Sequence, residues 1–171
     1  MESRLFALAR SAVVASLFVS IWTWFFPRWF AASKNVRLQI EWAPLPIALV
    51  VLGAAIMLKC VWDFAWTGRG TPAPFDPPRR LVVTGLYRFV RNPMYVGMGL
   101  FLCGEALLLP AIAREMFLMI GICWLAVTIF IMVYEEPTLR RLFGEDYIEY
   151  CRYVRRWIPR VRPWYAPRHL D

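Results

Sequence analysis

The sequence predicts an all-α polytopic membrane protein: about four transmembrane helices, including a helical hairpin in the C-terminal half, plus short cytoplasmic amphipathic helices. Three observations carry this expectation. Hydrophobic residues make up 60% of the 171 positions, against the roughly half expected of a soluble domain, and small domains bury too little of their surface to hide that excess from water. Apolar runs recur at spanning length. Nine Trp and seven Tyr suit the headgroup level, where amphipathic rings partition.

The elements follow in order. A first span is expected from about Leu5 to Phe26, ending in a belt of Trp22, Trp24 and Trp29 and stopped by Pro27 and Arg28. A second runs from about Leu45 to Trp66. Each such run reaches about 33 Å at 1.5 Å per residue, enough for a hydrocarbon core of about 30 Å. Between Thr67 and Asn92, Pro72, Pro74, Pro77 and Pro78 exclude a continuous helix and imply an ordered loop. Asn92 reads as an N-cap and Pro93 as the first helical residue. The third span is then Pro93 to Ile112, with Arg114 and Glu115 as a tight turn and Met116 to Tyr134 as the fourth span. The short connection makes the two an antiparallel hairpin.

Beyond Tyr134 the pattern turns amphipathic. Glu136–Pro137 is expected to restart a helix with Leu139, Leu142 and Phe143 on one face, and Gly144 to cap its end. A second short helix begins near Asp146, with Tyr147, Tyr150, Cys151, Val154 and Ile158 at three- and four-residue spacing. Its leading acids and trailing Arg152, Arg155 and Arg156 follow the helix dipole, which describes a helix lying on the membrane surface.

Charge sets the partners and the orientation. The net charge is +8, but the basic residues flank apolar spans rather than coat a polar domain, which favours an anionic lipid surface over nucleic acid. Arg69, Arg79, Arg80, Arg88 and Arg91 in the central loop and eight Arg after Tyr134 lie two spans apart, hence on one side, and that side is the cytoplasm. Both termini are expected there. Cys60, Cys103, Cys123 and Cys151 form no close pair, and His169 is the single histidine, so neither a disulfide framework nor a metal site is expected.

Three features carry candidate chemistry. In YRFVRNPMYVG, residues 87–97, a loop of aromatic and guanidinium groups meets a helix N-terminus, where exposed N–H groups and the dipole favour an anion. Arg91 would fork onto a ligand carboxylate and Asn92 cap helix or ligand; the plainer alternative makes Asn92 a cap only and gives the Arg residues to lipid headgroups. In the segment 135–159, the adjacent Glu135 and Glu136 at a membrane boundary are costly unless paired or functional. They either pair with Arg140 one turn on or face a cationic ligand beside the rings of Tyr147 and Tyr150. Glu105, about midway along the third span, faces a cavity, pairs or is protonated, and is the candidate substrate contact. Lys59 and Arg10 are expected to snorkel.

The two long motifs together resemble the isoprenylcysteine carboxyl methyltransferase and phospholipid methyltransferase superfamily of integral membrane enzymes, from about Gly70 to Pro159. Its YR-x-x-R-[HN]-P-x-Y-x-G segment is matched by Tyr87, Arg88, Arg91, Asn92, Pro93, Tyr95 and Gly97. Its second motif is matched by Glu135, Glu136, Leu139, Phe143, Gly144, Tyr147, Tyr150, Val154, Arg156 and Pro159. The length suits one integral membrane domain over residues 1–171, with a two-span part (1–66) and, by the resemblance, a cofactor-binding part (67–171). The resemblance implies S-adenosylmethionine as cofactor and a lipophilic small-molecule or lipidated acceptor arriving from the bilayer. By resemblance Glu136 and Arg156 are catalytic, while Tyr87, Arg91, Asn92, Tyr95, Gly97, Glu135, Tyr147 and Tyr150 hold the cofactor. Asn92 stands where many isoprenylcysteine-specific members have His. The alternatives are a phospholipid N-methyltransferase, an NADPH-dependent sterol-reductase-like enzyme and a non-enzymatic membrane adaptor. Methyl transfer from a sulfonium is an in-line displacement in which positioning supplies most of the acceleration, so a chain without a usable histidine can perform it.

Overall fold

The computed structural model describes Leu17, residues 20–63 and residues 81–165. Most of the expected first span, the loop before Leu81 with its prolines and Arg69, Arg79 and Arg80, Arg10, and both termini lie outside these residues. All regular structure among the described residues is helical: a π turn Ile21–Phe25, α1 Phe26–Lys34, α2 Pro44–Asp63, a 3-10 turn Gly85–Arg88, α3 Pro93–Leu108, a 3-10 turn Pro110–Ile112, α4 Ala113–Phe130, a second π turn Ile131–Glu135, and α5 Glu136–Tyr153.

Two helical runs are long and apolar enough to cross a membrane: Pro44–Asp63, with mean hydropathy 2.2, and Pro110–Tyr153, whose most apolar window reaches 2.6. Their most apolar stretches are built mainly of Leu, Ile, Val, Ala, Met and Phe, and the charged residues gather towards the ends. Leu58, Leu118, Ile122, Leu125 and Ile129 stay exposed on them, as lipid contact requires. The helix α3 is also apolar but has 16 residues, about 24 Å at 1.5 Å per residue.

The end of α3 departs from the sequence expectation of a span to Ile112 with a turn at Arg114–Glu115. Pro110 removes a donor and drives Leu109 out of the helical region, to φ −122° and ψ 66°, as a residue before proline requires. The reversal therefore falls at Leu109–Pro110, and Arg114 and Glu115 sit in the first turn of α4. Lys34, at the end of α1, reaches Glu115 at 3.0 Å and ties α1 to that reversal.

Pro27 does not stop its helix either. The Phe26 N–H bonds to the Ile21 carbonyl five residues back, and the helix continues through Pro27 to Lys34, ending at a left-handed Asn35. The same device recurs at Glu136, whose N–H bonds to the Ile131 carbonyl immediately before Pro137. A widened π turn takes up the missing proline donor, so the helix passes through where a restart is expected. Trp22 is also not a belt residue: it is buried with Ala31, Leu102, Ala106, Leu109, Ile112 and Met116, while Trp24 and Trp29 are exposed.

Close backbone approach joins α2 to α3. A Cβ on Gly53 would lie 2.5 Å from the Gly97 carbonyl oxygen, and one on Gly97 would lie 2.7 Å from Ile56. This is small-residue packing of the kind that joins helices in lipid, where no hydrophobic drive is available between them. At the other end, Gly144 breaks α5 with φ 54°, in open space, so the positive φ alone calls for glycine. The break turns the second half of α5 back towards α3.

Candidate functional site

That return creates the site. Tyr147 and Tyr150 of α5, with Val154 just past its end, bury themselves against Val83 and Trp164, so this half-helix packs on the 81–91 loop. The Tyr150 hydroxyl donates to the Tyr87 carbonyl at 2.7 Å. After Tyr153 the chain runs as a strap, antiparallel to residues 88–91. Arg91 N–H donates to the Arg155 carbonyl at 2.9 Å, Arg160 N–H to Phe89 at 2.9 Å, and Trp164 N–H to Arg88 at 3.0 Å. Asn92 occupies the N-cap position of α3 but makes no side-chain cap; its amide donates instead to the Arg156 carbonyl at 3.3 Å.

The strap is clasped by charge. Arg156 grips the Glu136 carboxylate with both prongs, Nε at 2.7 Å and Nη2 at 3.0 Å, and Arg91 Nη1 reaches the same carboxylate at 3.1 Å. Glu136 is only 5% exposed. Burial opposes its ionisation, but the Arg156 hydrogen bonds and the charges of Arg91 and Arg156 outweigh this and hold the carboxyl below its ordinary range. The Glu136 hydrogen bonds reciprocally raise Arg156. Arg140, the partner expected one turn on, is exposed and acts only through space. The fork of Arg156, which the resemblance makes catalytic, is thus filled by Glu136. Arg91 Nη1 also meets Cys151 Sγ at 2.8 Å, while its Nε is buried without a partner.

Glu135 lies in a different environment. Among the described residues its carboxylate accepts one side-chain hydrogen bond, from the Tyr95 hydroxyl at 3.4 Å, and no Lys or Arg pairs with it. Burial raises its carboxyl above the ordinary value, Tyr95 partly offsets this, and the negative Glu136 raises it further. Tyr95 stands edge-on to Trp157 at 6.5 Å, and Trp157 packs on Trp124 at 4.7 Å. A carboxylate lacking a counter-charge beside aromatic faces is suited to a cation. Burial likewise pushes the hydroxyls of Tyr87, Tyr147 and Tyr150 upward, which keeps them neutral donors.

The structure thus brings Tyr87, Arg91, Asn92, Tyr95, Glu135, Glu136, Tyr147, Tyr150 and Arg156 into one neighbourhood, at the start of α3 and the end of the π turn. Two candidates stand apart. Gly97 faces α2, where helix packing accounts for it. Glu105 is in the last turn of α3, not at its midpoint, about 15 Å along the axis from Tyr95. It is buried next to Leu102, Ala106 and Leu109, with Oε2 unpartnered. Lys59, expected to snorkel, is half-exposed and pairs with Asp63. Sequence reasoning missed Trp124 and Trp157. Trp157 is adjacent to Arg156 in the second motif, but only the fold shows that it crosses to Trp124.

The described residues define a helical protein with spanning-length apolar helices and a cluster of charged and aromatic side chains at one end of them. The family model of phospholipid methyltransferases matches residues 43–146, more than half of the chain. The chain belongs to that family, within the integral membrane methyltransferases. The match covers α2 to the Gly144 break, including both glutamates, and ends before the strap. No curated protein and no solved structure matches the chain.

Proposed function

We propose that the protein transfers the methyl group of S-adenosylmethionine to a lipophilic acceptor drawn from the bilayer. In this reading the chain crosses the membrane four times, with both termini and the strap on the cytoplasmic side. The observation that supports it most is Glu135, a carboxylate without a basic partner among the described residues, hydrogen-bonded by Tyr95, whose ring meets Trp157, where the apolar helix α4 gives way to polar sequence. Such a group fits a ligand that brings its own positive charge.

When bound, S-adenosylmethionine supplies an electrophilic methyl group on a sulfonium. Glu135 would attract and orient that positive centre, and the ring of Tyr95 would add cation–π attraction. Arg91, Glu136 and Arg156 act as positioning residues: they hold the strap across the site and exclude water from it. Tyr87, Asn92, Tyr147 and Tyr150 frame the same space. Orientation supplies most of the acceleration of an in-line displacement, so no further acid or base is required for an acceptor already carrying a lone pair. The family name points to a phospholipid acceptor, and a prenylated carboxylate is the other acceptor that the sequence motifs suggest.

Calorimetric titration in lipid nanodiscs tests the reading, with S-adenosylmethionine, its demethylated product and NADPH as separate ligands. The first two are expected to bind in the micromolar range common to enzyme ligands. Absence of heat and of thermal stabilisation at millimolar concentration overturns the proposal, and binding of NADPH alone replaces it with the reductase reading. Transfer of labelled methyl into phospholipid or into a prenylcysteine then identifies the acceptor.

A further inference from the structure

We infer that Trp157 determines what reaches Glu135 from the bilayer: it is a displaceable wedge in the cleft between α3 and α4, and the reacting end of the acceptor takes its place. This rests on the methyl-transfer reading above and names the residue that would control acceptor access.

Large rings lie between α3 and α4, in contrast to the backbone-to-backbone contact of α2 with α3. A Cβ on Gly99 would come 2.9 Å from Trp124 Cζ3, so the bare glycine is what admits that ring from α4. Tyr95 precedes Gly99 by one turn on the same face of α3. Trp157 then closes the gap, touching Trp124 at 4.7 Å and Tyr95 at 6.5 Å. The cleft opens on the lipid side: Leu125, next to Trp124, is exposed, and at Gly121, one turn before Trp124 on the same face, a Cβ would meet nothing within 4 Å.

Trp157 differs from the other two rings in its origin. Tyr95 and Trp124 belong to helices, whereas Trp157 belongs to the strap, held there by the Arg155 carbonyl and the Arg156 clasp. It is only partly buried, and aromatic pair contacts are individually modest, so the ring can leave without unfolding a helix. Tyr95, which it covers, is the residue that donates to Glu135. A lipid approaching Glu135 between α3 and α4 therefore meets Trp157 first.

The full chain is placed in nanodiscs containing a lipid with a photoreactive diazirine near the glycerol, and adducts are mapped by mass spectrometry. In the parental protein the probe is expected to label Trp157 itself, although Arg155 and Arg160 flank it in sequence. In Trp157→Ala, labelling of Tyr95 and Trp124 is expected to rise roughly tenfold, the change that loss of two aromatic contacts supports. Trp157→Phe should rise less, and labelling of the outer residues Leu118 and Ile122 should stay constant. Unlabelled Trp157 in the parental chain overturns the inference, as does unchanged labelling of Trp124 in a folded Trp157→Ala. No cofactor is needed, so a chain that labels as expected but fails to bind S-adenosylmethionine keeps the wedge and loses the methyl-transfer reading.

Discussion

Glu136 shares its carboxylate between Arg156 and Arg91, whereas Glu135, one residue earlier, has the Tyr95 hydroxyl and a set of rings. One is charged and neutralised; the other is partly desolvated and has no counter-charge among the described residues. The π turn Ile131–Glu135 lies immediately before this divergence. By adding a residue to the turn, it changes the directions in which successive side chains project. The pair teaches that two identical adjacent residues can divide structural and ligand-facing work. Glu136 clasps the strap through Arg156, and in the proposed reading its neighbour Glu135 meets the ligand.

Removing one carboxylate at a time separates the two roles. Glu136→Gln leaves two guanidiniums at a buried site without their counter-charge, a loss of about 3 kcal/mol or more. Chemical unfolding in detergent should show this, together with proteolysis of the strap after Tyr153. Arg156→Lys should lose less than Glu136→Gln, because a point charge replaces the charge of the fork but not its second prong. Glu135→Gln should leave stability equal or improved at neutral pH, since it removes a desolvated charge next to another of the same sign. Equal destabilisation by both substitutions would erase the distinction.

A smaller effect lies in pH dependence, where the two carboxylates have opposite signs. Glu136 is depressed in the folded state, so its stabilisation is present above its unfolded pKa near 4.5 and is lost as pH falls through the lower folded value. Glu135 is raised, so its contribution is full below about 4.5 and is lost as pH rises through the folded value. Thermal midpoints should therefore diverge. The advantage of Glu135→Gln over the parental chain should grow on moving from acidic to neutral pH, while the deficit of Glu136→Gln grows over the same range. Parallel curves would show that burial and pairing do not separate the two groups.

Much of the fold was legible because it depends on local chemistry. The α2 helix starts at Pro44, one residue from its expected Leu45, since an apolar run of spanning length has few other solutions. Asn92–Pro93 marks the start of α3 and Gly144 the break in α5, because a proline and a positive-φ glycine each act on their own position. The errors arose where proline acts with its surroundings. Pro110 ended α3 earlier than hydropathy suggests, while Pro27 and Pro137 ended nothing, because a π turn precedes each. Within the site, the motif residues identified the right neighbourhood but not the pairing. Nothing in the spacing of Glu136 and Arg156, twenty residues apart, shows that they bind each other; that depends on the Gly144 break and the strap. Trp124 and Trp157 were illegible for the same reason, since their contact joins the middle of a span to the strap.

The central claim is that Glu135 faces the positive centre of the cofactor, and the ligand pair that differs only in that charge tests it most directly. Affinities of S-adenosylmethionine and of its uncharged thioether product are measured for the parental protein and for Glu135→Gln, in the same nanodiscs. The account predicts that Glu135→Gln weakens S-adenosylmethionine roughly tenfold or more, as expected for loss of a charged partner, and changes the thioether little. Equal weakening of both ligands, or of neither, would contradict it.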